Sequence, residues 1–276
     1  MKLIRTLADW QQARGLIQDS VGFVPTMGGL HAGHAALLER CVAENTVSVL
    51  SIYVNPTQFN NADDLAHYPD TLSDDLAMAE RLGVDLVLLP AYAELYADDY
   101  RFKLLETSLS GELCGEHRPG HFDGVLTVVM KLLNIVRPDR AYFGEKDYQQ
   151  FELIRDMCAA FFLPVHIVPC PTVREHDGLA MSTRNLRLTP QDRALAASFP
   201  ELLRNSATDQ AARLALSAAG FEVDYVVTRA GRRFAAASVG QGEHEVRLID
   251  NIALGERSDA QIKAASSPSK PLAEAS

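Results

Sequence analysis

Two histidines three residues apart, His31 and His34, stand in the segment PTMGGLHAGH at 25–34. The segment lies between an apolar run at 21–24, typical of a buried strand, and a run at 35–42 with helical spacing. A helix begins with free N–H groups and partial positive charge, and imidazoles donate hydrogen bonds without a fixed charge. Because the intervening glycines let backbone approach a ligand closely, the pattern predicts a cradle for the phosphates of a nucleotide.

Two other interpretations of the histidine pair stay open on this stretch alone. A zinc site would need a third and a fourth ligand, and no nearby histidine or cysteine has the usual ligand spacing. The two rings could also be incidental surface histidines. The glycines at 28, 29 and 33 favour the phosphate site over both.

A second candidate segment, FGEKDYQQ at 143–150, follows a predicted strand and enters a predicted helix. Gly144 permits close approach of a ligand, and Lys146 offers a point charge for a phosphate. Asp147 could accept from ribose hydroxyls or join a magnesium shell. A solvated charged loop is the alternative, and the position at a strand end favours the binding site.

A third segment, GLAMSTRN at 178–185, stands where the pattern of the chain changes. Ser182, Thr183 and Arg184 place two hydroxyls and a guanidinium in sequence, a set suited to a migrating diphosphate. A mobile loop between two domains would also act as a lid. A plain turn before a helix is the alternative.

Amides form a fourth group, because Asn55 and Gln58 follow a strand end and Gln150 could reach the same space. Side-chain amides recognise hydroxyls and carboxylates without adding charge. One of these amides alone would not indicate a binding site.

The segment EHRPGHFDG at 116–124 is predicted to be a loop, with Arg118 and His121 as possible gate or anion contacts. No serine–histidine–acid spacing and no thiol nucleophile is recognisable, so covalent catalysis by the protein is not expected.

The elements that must position these side chains alternate along the first two thirds of the chain. Strands are predicted at 46–54, 84–90, 140–144 and 164–171, and helices at 71–83, 124–138 and 148–162, besides those that flank 25–34. This alternation predicts an α/β fold, a Rossmann-like doubly wound parallel sheet. Ligands of such sheets bind beyond the carboxyl ends of the strands, where the four groups fall.

Three regions are expected from the change of pattern near Arg174. Residues 1–174 are expected to form a nucleotide-binding domain, and residues 175–254 a smaller α+β lid domain, with helices within 190–220 and strands at 222–228 and 245–252. Residues 255–276 are rich in alanine, serine and proline and are expected to be disordered.

Bulk composition excludes several classes of function. The 276 residues are 47% hydrophobic and 22% charged, an ordinary balance for a soluble globular protein. A net charge of −10 argues against nonspecific binding to nucleic acid or anionic membranes. The four cysteines form no Cys-x-x-Cys pair, and the N-terminus has no signal-like apolar run. A cytoplasmic protein with reduced thiols is expected.

Five segments occur in the order found in the pantothenate synthetase family, which residues 1–254 therefore resemble. They are VPTMGGLHAGH, IYVNPTQF, RPGHFDGVLTVVMKLLNIVRPDRAYFGEKDYQQ, VREHDGLAMSTRN and RLIDN. The H-A-G-H segment is also similar to that of the wider nucleotidyltransferase and class I aminoacyl-tRNA synthetase superfamily. The other four segments narrow the resemblance to the one family.

The resemblance implies condensation of (R)-pantoate with β-alanine, driven by cleavage of ATP to AMP and diphosphate through a pantoyl adenylate. It also implies a magnesium-dependent cytoplasmic homodimer that serves coenzyme A biosynthesis, with small molecules as its other partners. The magnesium ion would be carried by the ATP phosphates, and no protein side chain is assigned to it.

The resemblance also implies roles for individual residues. His34, His31, Lys146 and Arg184 would be catalytic, with His34 as a proton donor. Gln58 and Gln150 would bind pantoate, and Gln58 would also contact β-alanine. The ATP site would comprise Met27, Gly28, Gly29, Leu30, His31, Ala32, Gly33, His34, Gly144, Glu145, Lys146, Asp147, Val173, Met181, Ser182, Thr183 and Arg184.

Departures from the family pattern are small. Thr183 stands where the family more often has serine, and QFNN lacks the acidic or proline residue that often follows the phenylalanine.

Two other functions would fit part of the sequence pattern. A nucleotidyltransferase with another acceptor would share the histidine segment but would not need the paired amides Gln58 and Gln150. A non-catalytic nucleotide-binding protein would not need both histidines, Lys146 and Arg184 together.

Overall fold

The computed structural model describes residues 1–60, 65–242 and 245–255. The predicted disordered segment 255–276 lies outside the described residues except for Gly255.

Six strands form the larger sheet. Their bounds are Lys2–Ile4 (β1), Val21–Thr26 (β2), Val47–Ile52 (β3), Leu86–Leu88 (β4), Arg140–Gly144 (β5) and His166–Cys170 (β6). The strands are parallel and lie in the order β1-β4-β3-β2-β5-β6. The chain runs from β2 through β3 to β4 and then returns to place β5 on the other side of β2. The strand order therefore reverses between β2 and β5, which opens a crevice at their carboxyl ends.

Helices and 3-10 turns connect these strands. The α-helices are Leu7–Leu16, Ala32–Glu44, Leu72–Arg81, Tyr92–Leu95, Cys114–His117, His121–Val136 and Tyr148–Ala160. The 3-10 turns are Pro56–Gln58, Leu109–Gly111, Glu145–Asp147 and Thr183–Arg187. Within the described residues, no helix is both long and apolar enough to span a bilayer.

Helices cover both faces of the sheet, which confirms the doubly wound α/β prediction. Side chains alternate along each strand, so Phe23 and Val24 of β2 point to opposite faces. Phe23 belongs to a buried cluster with Leu126 of the helix His121–Val136. Val24 belongs to another buried cluster with Leu38 of the helix Ala32–Glu44.

A second sheet forms the smaller α+β unit, as predicted. Strands Glu222–Arg229 (β7), Arg232–Val239 (β8) and Val246–Ala253 (β9) are antiparallel in the order β7-β8-β9. Three helices pack on it: Pro190–Ala196, Phe199–Asn205 and Asp209–Ala219. On β8, Ala235 packs in this unit's own core, whereas Phe234 and Ala236 belong to the core of the larger unit.

The sequence pattern missed two local features. The N-terminal strand β1 and the helix Leu7–Leu16 were not predicted from MKLIRTLADW; β1 is only three residues long. The loop predicted at 116–124 is wrong at both ends, because Cys114–His117 is helical and the next helix begins at His121. Only the intervening residues break the helix, where Gly120 takes a left-handed conformation with φ of 79°.

Candidate active site

A cavity of about 260 Å³ opens at the carboxyl edge of the larger sheet and holds most of the predicted site residues. Those that line it are Met27, His31, Gly33, His34, Gln58, Gly144, Lys146, Asp147, Gln150, Val173, Met181, Ser182, Thr183 and Arg184. The cavity lining does not include Gly28, Gly29, Leu30, Ala32 or Glu145. These five residues lie in or beside the turns that carry the lining residues.

A buried carboxylate holds the turn that follows β2. Asp75, from the helix Leu72–Arg81, is only 2% exposed and accepts from the amides of Gly29 (3.0 Å) and Leu30 (2.8 Å). The hydroxyl of Thr71 donates to the same carboxylate at 3.1 Å. Gly28 and Gly29 both have positive φ, 85° and 65°, which glycine adopts without strain. The carboxylate therefore fixes a turn that other residue types would disfavour.

The two histidines cap the helix Ala32–Glu44 reciprocally. His31 Nδ1 accepts from the amide of Gly33 at 3.0 Å, and His34 Nδ1 accepts from the amide of His31 at 3.3 Å. Their ring centroids are 4.2 Å apart. Because each Nδ1 accepts a hydrogen bond, each ring carries its proton on Nε2, which is left as a donor.

This capping corrects one part of the sequence interpretation. The free N–H groups at the helix start were expected to face an anion, but the amides of His31 and Gly33 donate to the two imidazoles, and those of Gly29 and Leu30, in the preceding turn, donate to Asp75. The physical reason is that a helix start must satisfy its free N–H groups, and here side chains of the protein do so. An anion at this site would then be met by side-chain donors.

Both imidazoles are neutral near pH 7. Burial lowers the pKa of His34 to about 3, and the adjacent His31 ring adds to this shift. Burial and the charge of Lys146 also lower the pKa of His31. Two uncharged N–H donors thus line the same cavity as the ammonium group of Lys146.

The turn after β5 presents Lys146 and Asp147, whose charged groups lie 3.5 Å apart. Burial alone would raise the pKa of Asp147, but the positive charges of Lys146 and Arg184 outweigh it and hold the pKa below its ordinary value. Asn251 of β9 is buried and donates to the carbonyl oxygens of Glu145 (2.8 Å) and Lys146 (2.9 Å). The smaller unit therefore supports the turn that carries the lysine.

The segment Ser182–Arg184 packs against the turn that contains Gly28 and Gly29. The hydroxyl of Thr183 donates to the carbonyl of Gly29 at 3.1 Å, and Ser182 Oγ accepts from the amide of Arg184 at 3.3 Å. Both hydroxyls were expected to face a diphosphate, whereas in the structure each is engaged by the protein. They brace the loop at a contact between the two units.

An ion pair anchors the start of the polar segment that follows β6 and leads to Ser182. Arg174 donates to both carboxylate oxygens of Asp250 on β9, at 2.7 and 2.9 Å. Farther along, Arg193 pairs with Glu175 and Asp177, each at 2.6 Å. The polar segment after β6 is thus fixed to the smaller unit at several points.

Asn55 orients the amide of Gln58. Asn55 Nδ2 donates to Gln58 Oε1 at 3.0 Å, and Asn55 Oδ1 accepts from the hydroxyls of Thr57 (3.0 Å) and Tyr96 (2.9 Å). Because Oε1 of Gln58 is taken by this contact, Nε2 is the group it can offer to a ligand. Gln150 lines the same cavity from the helix Tyr148–Ala160.

Arg118 and His121, considered only as possible contacts, both line the cavity. His121 Nδ1 lies 2.8 Å from the carbonyl oxygen of Gln58, so Nδ1 carries the proton and Nε2 accepts from Arg118 Nη1 at 3.1 Å. Burial and the charge of Arg118 lower the pKa of His121 to about 3. The neutral ring links a guanidinium to the turn that bears Gln58.

Sequence reasoning missed two parts of the site. The sequence does contain one signal for Asp75. Its position places it on the same face of the helix as Ala79, and that face is buried. The apolar end of the cavity was also missed; it is formed by Tyr53, Val125, Val128, Val129, Leu132 and Phe143. In the part of the chain that the structure describes, no group of three or more His, Cys, Asp or Glu side chains could hold a metal ion. All four cysteines are free and buried.

Residues 1–253 match the family model described as pantoate-beta-alanine ligase. A pantothenate synthetase of Bdellovibrio bacteriovorus is 53% identical over 251 residues, which cover 91% of this chain and 98% of the relative. One of Coxiella burnetii is 51% identical, with coverage of 91% and 96%.

Solved structures show the same likeness. The pantoate-beta-alanine ligase of Francisella tularensis, solved in complex with beta-gamma ATP and beta-alanine, superposes with a TM-score of 0.87 at 37% identity. The match covers 93% of this chain and 99% of the other. The pantothenate synthetase of Thermus thermophilus gives a TM-score of 0.85 at 39% identity, covering 92% and 99%.

Proposed function

The chain belongs to the pantoate–β-alanine ligase family, and we propose that it works in two steps, through an enzyme-bound pantoyl adenylate. It is a ligase that forms the amide bond of pantothenate from pantoate and β-alanine with ATP. The observation that carries the two-step proposal is the pair of neutral imidazoles beside Lys146 at the end of β2.

In the first step a carboxylate oxygen of pantoate attacks the α-phosphorus of ATP, and diphosphate leaves with the bridging oxygen. Negative charge grows on oxygens that are already anionic. His31 and His34 donate from Nε2, while Lys146 and Arg184 supply positive charge. Preorganised donors of this kind stabilise the transition state more than the ground state.

In the second step the amine of β-alanine attacks the acyl carbon, the bond to the AMP oxygen breaks, and the amine loses a proton. Gln58 and Gln150 bind pantoate, and Gln58 also contacts β-alanine. A fixed amide donor at Gln58 supports this, since its Oε1 is already held by Asn55. Orientation of two reactants in one cavity supplies much of the acceleration.

The ATP site follows the turns at the strand ends: 27–34 after β2, 144–147 after β5, Val173 after β6, and 181–184. The five residues that do not line the cavity, Gly28, Gly29, Leu30, Ala32 and Glu145, act in this proposal by shaping the turns. Residues 175–254 act as a lid domain, which the Thr183–Gly29 contact supports.

Magnesium is proposed to enter on the phosphates of ATP. The residues present fit it, because Mg²⁺ is commonly held by one or two carboxylates together with substrate phosphates. Among the described residues that line the cavity, Asp147 is the carboxylate available, and its lowered pKa keeps it ionised. When bound, the ion would withdraw charge from the phosphate oxygens.

A cytoplasmic homodimer that serves coenzyme A biosynthesis completes the proposal. These three features are carried from the family resemblance of the sequence.

The experiment is exchange of labelled diphosphate into ATP with pantoate present and β-alanine absent. The adenylate pathway predicts exchange that depends on pantoate, because the first step is reversible without the amine. A panel of other hydroxy acids in place of pantoate tests the rival acceptor.

Absence of exchange, with ATP shown to bind and pantothenate still formed on adding β-alanine, would contradict a free-standing adenylation step. Equal exchange with an unrelated acid would instead contradict the pantoate assignment.

A further inference from the structure

One face of the smaller sheet lies against the turn that carries Lys146. Arg232 begins β8 and is opposite Ala253 of β9, whereas Phe234 is opposite Asn251. Side chains two residues apart on a strand share a face, so Arg232, Phe234 and Asn251 point to the same side of the sheet. Phe234 belongs to the core of the larger unit, which identifies this face as the one turned towards that unit.

The guanidinium of Arg232 makes three contacts on this face. Nη1 donates to Asn251 Oδ1 at 2.5 Å, and Nη2 lies 3.9 Å from Glu145 Oε1. Cζ lies 3.9 Å from the centre of the Tyr148 ring, which is within the range of a cation–π contact. Because Glu145 and Tyr148 lie on either side of Lys146 in the chain, one side chain of the smaller unit contacts the chain before and after the lysine.

The amide of Asn251 connects a group that only donates with groups that only accept. A guanidinium has no acceptor, so Asn251 Oδ1 must face Arg232. Nδ2 is then directed at the carbonyl oxygens of Glu145 and Lys146, at 2.8 and 2.9 Å. Asn251 is buried, and without the guanidinium its Oδ1 would lose this donor. Only the carbonyl contacts would then hold the amide in place.

Arg232 is not among the residues that line the cavity, so an effect on the reaction must pass through its neighbours. We propose that Arg232 is a positioning residue for Lys146 and acts through the amide of Asn251. The inference rests on the proposed function and extends it, because it adds a second residue of the smaller unit to the support of the lysine. The guanidinium holds the amide, the amide holds the backbone of the turn, and the turn holds Lys146 at the phosphates of ATP.

The first test replaces Arg232 with methionine, which removes the donors while the thioether still packs on the Tyr148 ring. The KM for ATP should rise about three- to fivefold, since part of the worth of a hydrogen bond to a charged group is lost. The KM values for pantoate and β-alanine should stay within about twofold. Arg232→Lys keeps a charge and a donor, so its KM for ATP should fall between those of wild type and Arg232→Met.

A double variant tests whether Arg232 acts through Asn251. Asn251→Leu alone is expected to raise the KM for ATP about tenfold. Once the amide is gone, Arg232→Met should add nothing, so the double variant should also show about a tenfold rise. Two independent contributions would instead multiply to about thirty- to fiftyfold.

Arg229→Met is the matched control. Arg229 lies at the end of β7 in the same hairpin, and its side chain pairs with Glu112 of the larger unit at 3.5 Å. The variant therefore removes an equal charge and an ion pair between the units, but this partner lies outside the turn that carries Lys146. Its KM for ATP should stay within about twofold of wild type.

Melting temperatures check that each variant is folded. If Arg232→Met is not, Arg232→Gln, which is uncharged and shorter, takes its place with the same expected rise. An unchanged KM for ATP in the folded variant would overturn the inference. A multiplied effect in the double variant, or an equal rise in Arg229→Met, would also overturn it.

Lys146→Ala in the same assay separates this inference from the proposed function. Normal ATP kinetics in Lys146→Ala would overturn the role of Lys146 itself and the inference with it. Impaired ATP kinetics in Lys146→Ala, together with a normal KM for ATP in Arg232→Met, would overturn the inference alone.

Discussion

At the scale of single residues, each imidazole caps the helix with Nδ1 and, in the proposed mechanism, donates to substrate with Nε2. Nδ1 of each ring accepts a backbone amide and so caps the helix, and this contact fixes the proton on Nε2. Burial keeps both rings neutral, with the pKa of His34 at about 3. Capping and donation are therefore coupled. If the amide contact at Nδ1 were lost, the proton would no longer be held on Nε2, and Nε2 would not be fixed as a donor.

The two tasks can be separated by replacing His34 with asparagine. An asparagine oxygen can occupy the place of Nδ1 and keep the cap, but no group replaces the Nε2 donor. Turnover should fall by roughly a hundredfold, since losing one transition-state donor costs about 3 kcal/mol. The melting temperature should stay near that of wild type. Steady-state kinetics and thermal unfolding measure the two effects.

His34→Ala is the comparison variant, because it loses both the donor and the cap. It should show a similar loss of turnover and, in addition, a loss of stability of about 1 kcal/mol. Lys146→Ala should lower turnover by a comparable factor with the fold intact. Near-normal turnover in His34→Asn would remove His34 from the catalytic set.

At the scale of elements, the absence of a side chain at Gly33 lets the His31 ring fold over its own helix start. A Cβ at Gly33 would lie 2.7 Å from His31 Cε1 and 2.9 Å from Nδ1, closer than such atoms approach. The ring would have to leave its cap position. Gly33 is therefore required by the packing of a neighbouring side chain, since its own φ is not positive.

Gly33→Ala should therefore lower activity while it leaves stability almost unchanged. Alanine favours a helix over glycine by up to about 1 kcal/mol, which would offset the lost cap. The free energy of unfolding should change little, whereas kcat should fall at least about tenfold because His31 Nε2 moves. Urea unfolding and steady-state kinetics test the pair of effects.

Gly15→Ala is the matched control for this variant. Gly15 also lies in a helix, and nothing lies within 4 Å of its Cβ position. It should gain stability with no loss of turnover. Equal turnover in Gly33→Ala and wild type would show that the His31 ring position does not matter.

Elements were predictable from the sequence where one local pattern decided them. Apolar runs gave the strands β2 to β6, and the strand ends gave His31, Lys146 and Gln58 as neighbours. Asp75 could not be placed in this way, because its partners are amides more than forty residues away. The contacts of the Gly29 and Leu30 amides were not predictable either, since the carboxylate that accepts from them belongs to a distant helix.

At the scale of the whole molecule, β9 connects the smaller unit to the site through two adjacent residues. Asp250 holds Arg174 at the start of the polar segment that leads to Arg184. Asn251 holds both carbonyls of the turn that carries Lys146. The RLIDN segment, which supported the family resemblance without a role of its own, is thereby explained. It couples the position of the smaller unit to the position of Lys146.

This coupling predicts the effect of Asn251→Leu, a change that keeps the side chain's size but removes both donors. Two carbonyl oxygens would lose their partner, and the turn would no longer be fixed to β9. The KM for ATP should rise by about tenfold, and unfolding should become easier by roughly 1–3 kcal/mol, the cost of unpaired buried groups. Initial rates against ATP concentration and urea unfolding measure the two changes.

Instability alone could also raise a KM, so a second variant must weaken the smaller unit away from the site. Thr208→Ala does this, because the Thr208 hydroxyl caps the helix Asp209–Ala219 by accepting from the amide of Ala211 at 3.1 Å. It should lose about 1 kcal/mol and keep the KM for ATP. If Thr208→Ala raises that KM as much as Asn251→Leu does, then general weakening of the smaller unit accounts for the effect. If only Asn251→Leu raises it, the smaller sheet positions the lysine through this one side chain.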